Sequence, residues 1–296
     1  MAELLILSRA VHFCACLVLP AVFAVRLLVE RPAADDGRAA RRLAGVCLVA
    51  AAGSGFGWFW AAAAGMNGSG LMTALNPQLF GLVLWQTPPG QVWIVRTGIA
   101  LALGVVLCFP RGGWRWITGL VLAAGLLGSL AWLGHAGAGE DGRRAVMLTA
   151  DVSHLLAASA WPAGLLPFAL LLRRQLKEKT AAGAYASAQR FSVMSLFTVG
   201  TLVTSGLVNA FFLVGSFRAL VTTDYGWFLT LKLLLVVAAL ALGAWNLLFH
   251  EPRMQTDPAA TEGMLRKVWM EVALGTLIVS VVAILGTLAP GSVPGR

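Results

Sequence analysis

LLILSRAVHFCACLVLPAVFAVRLL, residues 4–28, is the first of several long apolar runs in the chain. About 20 largely apolar residues are enough to cross the roughly 30 Å hydrocarbon core of a bilayer. No basic segment precedes this run and no small-residue cleavage site follows it, so we predict a retained membrane helix rather than a signal peptide. Hydrophobic residues make up 58% of the whole chain and charged residues 12%. This composition excludes an ordinary soluble domain, in which roughly 25% of residues are charged.

Seven further apolar runs follow the first. The predicted spans are 4–28, 43–65, 91–109, 116–134, 146–172, 191–214, 226–249 and 268–288. Because backbone groups in lipid must be paired within the protein, and no run shows the alternation of a membrane barrel, these spans are predicted to be helices. We therefore predict an all-α polytopic bundle of about eight transmembrane helices, forming one membrane domain over residues 1–296.

The basic residues are distributed unevenly between the loops. The loops after the first, third, fifth and seventh spans hold fourteen Lys and Arg, whereas the opposite loops and the tail hold four. The positive-inside rule places the first set in the cytoplasm, so both termini are predicted to be periplasmic. The net charge of +9 is thus interpreted as a topology signal and not as a nucleic-acid-binding surface.

One polar pattern occurs twice and indicates a parallel 4+4 internal repeat, with halves 1–140 and 141–296. The matching pairs are His12 with His154, Ser54-Gly55 with Ser205-Gly206, Thr87 with Thr223, Gly90 with Gly226, and Arg96 with Lys232. The alternative is that Thr and Gly are common at helix starts and that a Lys or Arg near a helix end extends to the membrane surface.

Ionisable side chains within the spans are candidate functional residues, because burying them in a membrane is costly. The predicted topology places His12, His135, Asp151 and His154 at similar depth near the outer end. Met147, Asp151 and His154 share one helical face. We predict a metal site here. The alternative is that each histidine is hydrogen-bonded within the bundle, or that Asp151 pairs with Arg96 or Lys232.

The donor types in this region suit copper. Imidazole, thioether and thiolate groups bind Cu(I), and imidazole with carboxylate binds Cu(II). Cys16 lies four residues after His12 and is a further candidate ligand. Met66 and Met72, in the outer loop after the second span, either guide a soft metal inward or pack at the interface. In the same loop, residues 79–85 are predicted to form a short helix at the interface.

The other polar residues within the spans are assigned more ordinary roles. Asn209 and Asn246 are predicted to form hydrogen bonds between helices. His250 is interpreted either as an exit ligand or as a histidine favoured by the helix dipole. Glu271 is interpreted as an ordinary carboxylate at the start of the last span. No P-loop motif is present, so neither a nucleotide ligand nor ATP hydrolysis is predicted.

Several stretches resemble the CopD/PcoD family of bacterial copper-resistance inner-membrane proteins. They are Gly134-His135-Ala136, Asp151-Val-Ser-His154 through Trp161, Arg190-Phe-Ser, Thr204 through Asn209, Thr223 through Gly226 with Lys232 and Asn246, and Thr87 through Gly90 with Trp93 and Arg96. Pro162 and Leu247 depart from the family pattern, and Pro162 is predicted to kink the fifth helix. The resemblance implies copper transport towards the cytoplasm, with copper supplied by a periplasmic CopC-type protein.

Two other functions fit the residues. Histidines on facing helices can clamp a haem b iron, with Arg96 and Lys232 pairing with its propionates. A copper store or sensor that does not transport the metal would use the same ligands.

Overall fold

The computed structural model describes residues 2–31, 37–66, 70, 71, 73, 76–109, 112–134, 141–214 and 217–288. Over these residues eight helices are long and apolar enough to cross a membrane, which confirms the predicted bundle. The spans are Glu3–Glu30, Arg38–Met66, Pro88–Cys108, Trp114–Leu133, Gly142–Lys177, Ala181–Val214, Asp224–Arg253 and Ala259–Leu285.

Eleven α-helices make up these spans and two short segments between them, counted over the described residues. They are α1 (Ala2–Ala24), α2 (Arg38–Met66), α3 (Pro77–Gln86), α4 (Pro88–Cys108), α5 (Trp114–Gly128), α6 (Asp141–Ala158), α7 (Leu165–Lys177), α8 (Ala181–Val214), α9 (Phe217–Thr222), α10 (Asp224–Trp245) and α11 (Pro258–Leu285). The short α3 corresponds to the helix predicted over residues 79–85.

Three spans contain a π-helical segment, in which the backbone turn is one residue wider. These segments are Val25–Glu30, Ser159–Ala163 and Asn246–His250. Pro162 lies within the second segment, where proline removes a backbone donor and interrupts the helix between α6 and α7. The break between α6 and α7 thus lies where the kink is predicted.

The first span is the most enclosed of the eight. Leu19 and Val29 are 0% exposed and Phe23 is 1% exposed. One apolar core joins α1 to α2, α4 and α5, and a second joins the end of the first span to α6, α7, α8, α10 and α11. The first span thus belongs to both cores.

The surface of the bundle is apolar. Phe197 and Phe211 on α8 are 76% and 77% exposed, and Leu234 on α10 is 63% exposed. Large exposed apolar areas are unusual in soluble proteins and are expected where lipid covers the surface.

The ends of several spans meet at what we call the basic end of the bundle, the end that carries the loops after the first, third, fifth and seventh spans. Glu30 forms ion pairs with Arg26 at 2.6 Å and with Arg174 at 2.5 Å. Arg190 donates a hydrogen bond to the Val29 carbonyl at 2.7 Å. These contacts fix the ends of the first, fifth and sixth spans relative to one another.

One predicted boundary needs correction because it changes the position of a carboxylate. The last helix begins at Pro258, capped by the Asp257 side chain, and not near residue 268. Helices can continue beyond the apolar part of their sequence when a capping residue starts them earlier. Glu271 therefore lies well inside α11, not at the start of the span.

Candidate functional site

His12 on α1 is the centre of a buried polar cluster in the first half of the chain. Its side chain is 2% exposed. Nδ1 lies 2.9 Å from the Ala51 carbonyl oxygen and 3.3 Å from Ser54 Oγ, both on α2. A carbonyl can only accept, so Nδ1 carries the proton and Nε2 presents its lone pair.

Arg96 on α4 takes up that lone pair. Its guanidinium donates to His12 Nε2 at 2.6 Å. The other terminal nitrogen donates to the Leu126 carbonyl at 2.7 Å and to Ser129 Oγ at 2.6 Å. The arginine is 2% exposed and therefore bridges the first, third and fourth spans from inside the protein.

Cys16 lies beside this contact. Its Sγ is 3.5 Å from His12 Nε2 and 3.6 Å from the same guanidinium nitrogen. One arginine nitrogen thus faces two atoms that are both good ligands for a soft metal.

Aromatic rings enclose the His12 side chain. The ring centroids of Trp58 and Trp93 lie 5.6 Å and 5.4 Å from that of His12. Gly55 completes the enclosure, since a Cβ atom there would lie 2.9 Å from Trp93 Cζ3 and 3.0 Å from His12 Cε1. A glycine is required for this close approach between α1 and α2.

His154 on α6 forms a second cluster with residues of α8. Its Nδ1 lies 3.1 Å from Ser205 Oγ. The Ser205 hydroxyl donates to the Thr201 carbonyl at 2.6 Å, so its oxygen accepts from the histidine. The Leu202 backbone is a further hydrogen-bond partner of the ring. No hydrogen bond to Nε2 is resolved among the described residues, so Nε2 is the atom left to bind a ligand.

Asp151 lies one turn before His154 and is half-buried. Asn209 Nδ2 donates to its Oδ1 at 3.4 Å. The charge of Lys232 on α10 acts on both Asp151 and His154, without a direct ion pair to either within the described part of the chain. The second cluster thus holds an imidazole, a carboxylate and an ammonium group.

The two clusters have matching local contacts. Each histidine Nδ1 faces a serine, and that serine donates to the carbonyl four residues earlier, at 2.5 Å from Ser54 and 2.6 Å from Ser205. A Cβ at Gly206 would lie 3.2 Å from His154 Cε1, and one at Gly55 would lie 3.0 Å from His12 Cε1. The clusters differ in their cation, because Arg96 bonds directly to its histidine and Lys232 does not.

The two helices that bring the cations into the clusters begin in the same way. The Thr87 hydroxyl oxygen accepts from the Gly90 N–H at 3.1 Å and donates to the Val83 carbonyl at 2.6 Å. Thr223 makes the same pair of bonds, at 3.0 Å and 2.6 Å. Each threonine joins a short helix, α3 or α9, to the long helix that carries Arg96 or Lys232.

The predicted ligands are only partly brought together. His12 lies next to Cys16, and His154 lies one turn from Asp151, but the two histidines have separate hydrogen-bond partners. Met147 is half-buried and Met66 is 58% exposed. His135 and Met72 lie outside the described residues. Within the described ranges, no three His, Cys, Asp or Glu side chains converge in a way that could hold a metal ion.

A polar pair that sequence reasoning did not connect lies nearer the basic end. Asn246 donates from Nδ2 to Glu271 Oε1 at 2.8 Å, and both side chains are buried. Each residue is visible in the sequence as a polar group among apolar ones. The predicted spans place both residues near the same end of the bundle, but the rotation of their helices, which brings the two side chains together, is not visible in the sequence.

Comparison with known sequences identifies the family. A profile described as "Copper resistance protein D-like, N-terminal domain" matches residues 1–146, and one described as "Copper resistance protein D" matches residues 185–285. The chain belongs to the copper resistance protein D (CopD) family. No solved structure matches this CopD-family chain.

Three relatives illustrate the range of this family. Inner membrane protein YebZ of Escherichia coli (strain K12) is 32% identical over 230 residues, covering 76% of this chain and 77% of YebZ. Copper resistance protein D of Pseudomonas syringae pv. tomato is 28% identical over 222 residues, covering 71% of each chain. Copper transport protein CutJ of Bacillus subtilis (strain 168) is 30% identical over 227 residues, covering 75% of this chain but only 40% of CutJ.

These relationships place the CopD-family chain among multi-pass inner-membrane proteins of copper resistance and transport. They also agree with the resemblance found in the motifs around Asp151, His154 and Thr223.

Proposed function

We propose that this protein carries copper across the bacterial inner membrane, from the periplasm towards the cytoplasm, and that copper first binds at the His154 cluster. Copper is the cargo in this proposal and not a resident cofactor. The observation that carries it is the state of the His154 imidazole, whose Nδ1 is fixed by Ser205 while Nε2 stays unbonded within the described residues. A histidine that donates from one nitrogen and presents the other is oriented to bind a metal.

Asp151 and Met147 extend the candidate site along one face of α6. An imidazole and a carboxylate suit Cu(II), and a thioether suits Cu(I), so either oxidation state has donors here. Asn209 holds one oxygen of Asp151, and the other is left for a ligand. His135 follows Gly134, and a Cβ at Gly134 would lie 3.8 Å from Asp151 Oδ2. Gly134, the described residue next to His135 in the sequence, is therefore close to this cluster, which supports His135 as a further ligand.

The His12 cluster is a second binding position that is closed by Arg96. The guanidinium nitrogen faces both His12 Nε2 and Cys16 Sγ. These are soft donors, and a Cu(I) ion carries the same single charge as the guanidinium. The guanidinium therefore competes with copper for these two donors, and copper binds here only when Arg96 gives up its bond to His12.

The proposed orientation of the protein in the membrane rests on its basic residues. Fourteen Lys and Arg lie in the loops of the basic end, which the positive-inside rule places in the cytoplasm. Both histidine clusters lie towards the opposite end, which then faces the periplasm with both termini. A periplasmic copper-binding protein of the CopC type is the proposed donor.

We also propose that the two clusters belong to two parallel halves, 1–140 and 141–296, of one membrane domain. The paired serine, glycine, threonine and cation contacts support this repeat. Transporters built from repeats place their substrate sites at the junction between the halves.

Copper binding by the purified protein tests the first step. Wild type is expected to bind copper and His154→Ala to lose most of it. Thr149→Val, an exposed change on another face of the same helix, is expected to bind as wild type does. Equal copper binding by His154→Ala, or no binding by wild type, would refute the proposed site.

Copper uptake into proteoliposomes separates transport from storage. Wild type is expected to accumulate copper inside the vesicles, whereas a store or sensor binds copper without accumulation. An optical spectrum of the same preparation tests the haem alternative, because a haem b protein shows a Soret band and a copper carrier does not.

A further inference from the structure

Glu271 on α11 is a carboxylate buried inside the bundle near the basic end. It is 2% exposed and lies twelve residues after Ala259, the first residue of the last span. Lys267, one turn earlier, lies with its Nζ 5.1 Å from the centre of the Trp245 ring, an arrangement typical of the membrane interface. Glu271 is therefore about one turn deeper than the interface.

Asn246 is its hydrogen-bond partner. The asparagine begins the π-helical segment after α10 and is 5% exposed. Its Nδ2 donates to Glu271 Oε1 at 2.8 Å, while its Oδ1 is buried and has no hydrogen-bond partner in the part of the chain that the structure describes. A Cβ at Gly243 would lie 3.4 Å from Glu271 Oε2, so the glycine leaves room for the second carboxylate oxygen. Wide turns of this kind occur frequently at functional sites.

No described cation compensates a charge on Glu271. The Lys267 ammonium group lies over the Trp245 ring. Within the described residues it makes no ion pair with Glu271. Val268, about one turn before Glu271, lies in an apolar core with Leu165 and Leu172 of α7. An ionised carboxylate left in such surroundings is strongly unfavourable.

One proton on the carboxyl group removes the charge of Glu271. It also makes the carboxyl group a hydrogen-bond donor beside Asn246, whose Oδ1 accepts no bond from the described residues. A metal ion fits less well, because hard cations take six or more oxygen ligands and, of the described side chains, Asn246 and Glu271 are the pair of oxygen donors that meet here. The chemistry of the pair therefore favours a proton.

His250 is the next polar residue along the chain after Asn246, towards the basic end. It lies four residues after Asn246, is half-buried, and packs against Gly263, where a Cβ would lie 2.5 Å from its Cε1. Its Nε2 is buried and has no hydrogen-bond partner among the described residues. The positive charges of Lys267, Arg253 and Arg266 act on the ring and disfavour a lasting second positive charge there. A neutral imidazole can still relay a proton, by accepting it at one nitrogen and releasing one from the other.

We propose that Glu271, held by Asn246, is a proton-binding site that exchanges its proton with the basic-end solution through His250 while copper crosses the membrane. Water at the basic end supplies the proton, the carboxylate becomes a carboxylic acid, and release reverses the step. The coupling to copper rests on the proposed transport function, whereas the proton site does not.

Infrared difference spectra of the purified protein across a pH titration test the proton site. Wild type is expected to show the C=O stretching band of a protonated carboxyl group, and Glu271→Gln is expected to lose it. Glu262→Gln, an exposed change on the same helix, should keep the band. Asp151→Asn identifies any contribution from Asp151, the half-buried carboxyl group of the second cluster, and Asn246→Leu should shift the band because the amide hydrogen bond is lost. A spectrum unaffected by Glu271→Gln overturns the proposal.

Copper uptake into proteoliposomes with an imposed pH gradient tests the coupling. Uptake by wild type is expected to change with the gradient, and uptake by Glu271→Gln is expected to be insensitive to it. An equal response in both proteins overturns the coupling. If wild type takes up no copper but keeps the Glu271 band, the transport function fails and the proton site stands.

Discussion

Replacing Arg96 by methionine tests whether the His12 cluster is a true hydrogen-bonded unit. The change removes a cation that is 2% exposed and donates to His12, Leu126 and Ser129 at 2.6–2.7 Å. Methionine fills much of the same volume without a donor. The effect therefore depends on which of the three acceptors is left unpaired.

Of the three acceptors, His12 Nε2 is the one that loses its strong hydrogen-bond partner. The Leu126 carbonyl still accepts from the Ser129 hydroxyl at 2.7 Å, and Ser129 keeps that bond. His12 Nε2 keeps only the weak contact with Cys16 Sγ at 3.5 Å. A hydrogen bond to a charged group contributes about 1.5–3 kcal/mol. We expect Arg96→Met to lower the free energy of unfolding by about that amount.

A double-mutant cycle isolates the interaction. In His12→Leu the acceptor is absent, so adding Arg96→Met should cost less than it does in wild type. The expected coupling energy is about 1.5–3 kcal/mol, measured by equilibrium unfolding in mixed detergent micelles. Arg143→Met, an exposed arginine on α6, serves as the control and should not couple with His12→Leu. Additivity of the Arg96 and His12 changes to within about 0.5 kcal/mol would show that the bond does not stabilise the protein.

Three further substitutions have defined outcomes. Gly55→Ala places a Cβ 3.0 Å from His12 Cε1 and should lower the free energy of unfolding by about 1–3 kcal/mol. In the control Gly53→Ala, the added Cβ meets no atom within 4 Å, so the free energy of unfolding should not fall. Equal unfolding curves for the two variants would be inconsistent with the packing. Ser205→Ala removes the serine partner of His154 Nδ1. Because one neutral hydrogen bond is worth about 0.5–1.5 kcal/mol, copper binding should weaken roughly two- to tenfold. An unchanged copper titration would mean that the serine does not orient the ring. Thr223→Val removes the N-cap of α10, which is worth about 0.5–2 kcal/mol. Amide hydrogen exchange in the first turn of α10 should therefore become faster. Unaltered exchange there would refute the capping role.

The sequence was sufficient to predict the spans because their signal is local. Each span is one run of about 20 apolar residues, and no knowledge of its neighbours is needed to find it. The ends were predicted less well, since residues such as Arg266 and Lys267 interrupt the apolar pattern but continue the helix that Asp257 begins. Glu271 was given an ordinary role for this reason.

The partners of the polar residues required the structure. Spacing along the chain gives the depth of a residue but not the direction in which its helix faces. His12 and Arg96 are 84 residues apart and meet only because the first and third spans pack in one particular rotation. The same holds for Asn246 and Glu271, 25 residues apart. Their depth was available from the sequence, but their contact depended on packing that no local pattern encodes.

The enclosed position of the first span has a consequence for assembly during synthesis. This span packs against α2 and α5, which follow it soon, and also against α11, which is made more than 200 residues later. Until α11 is inserted, the side of the first span that packs against α11 has only lipid or the insertion machinery as its neighbour. Ser159 and Arg174 complete the arrangement in between, through bonds to the Leu17 carbonyl and to Glu30. A span that is made more than 200 residues before α11 is thus among the last to reach its final environment, and a ribosome stalled before α11 would leave it incompletely covered.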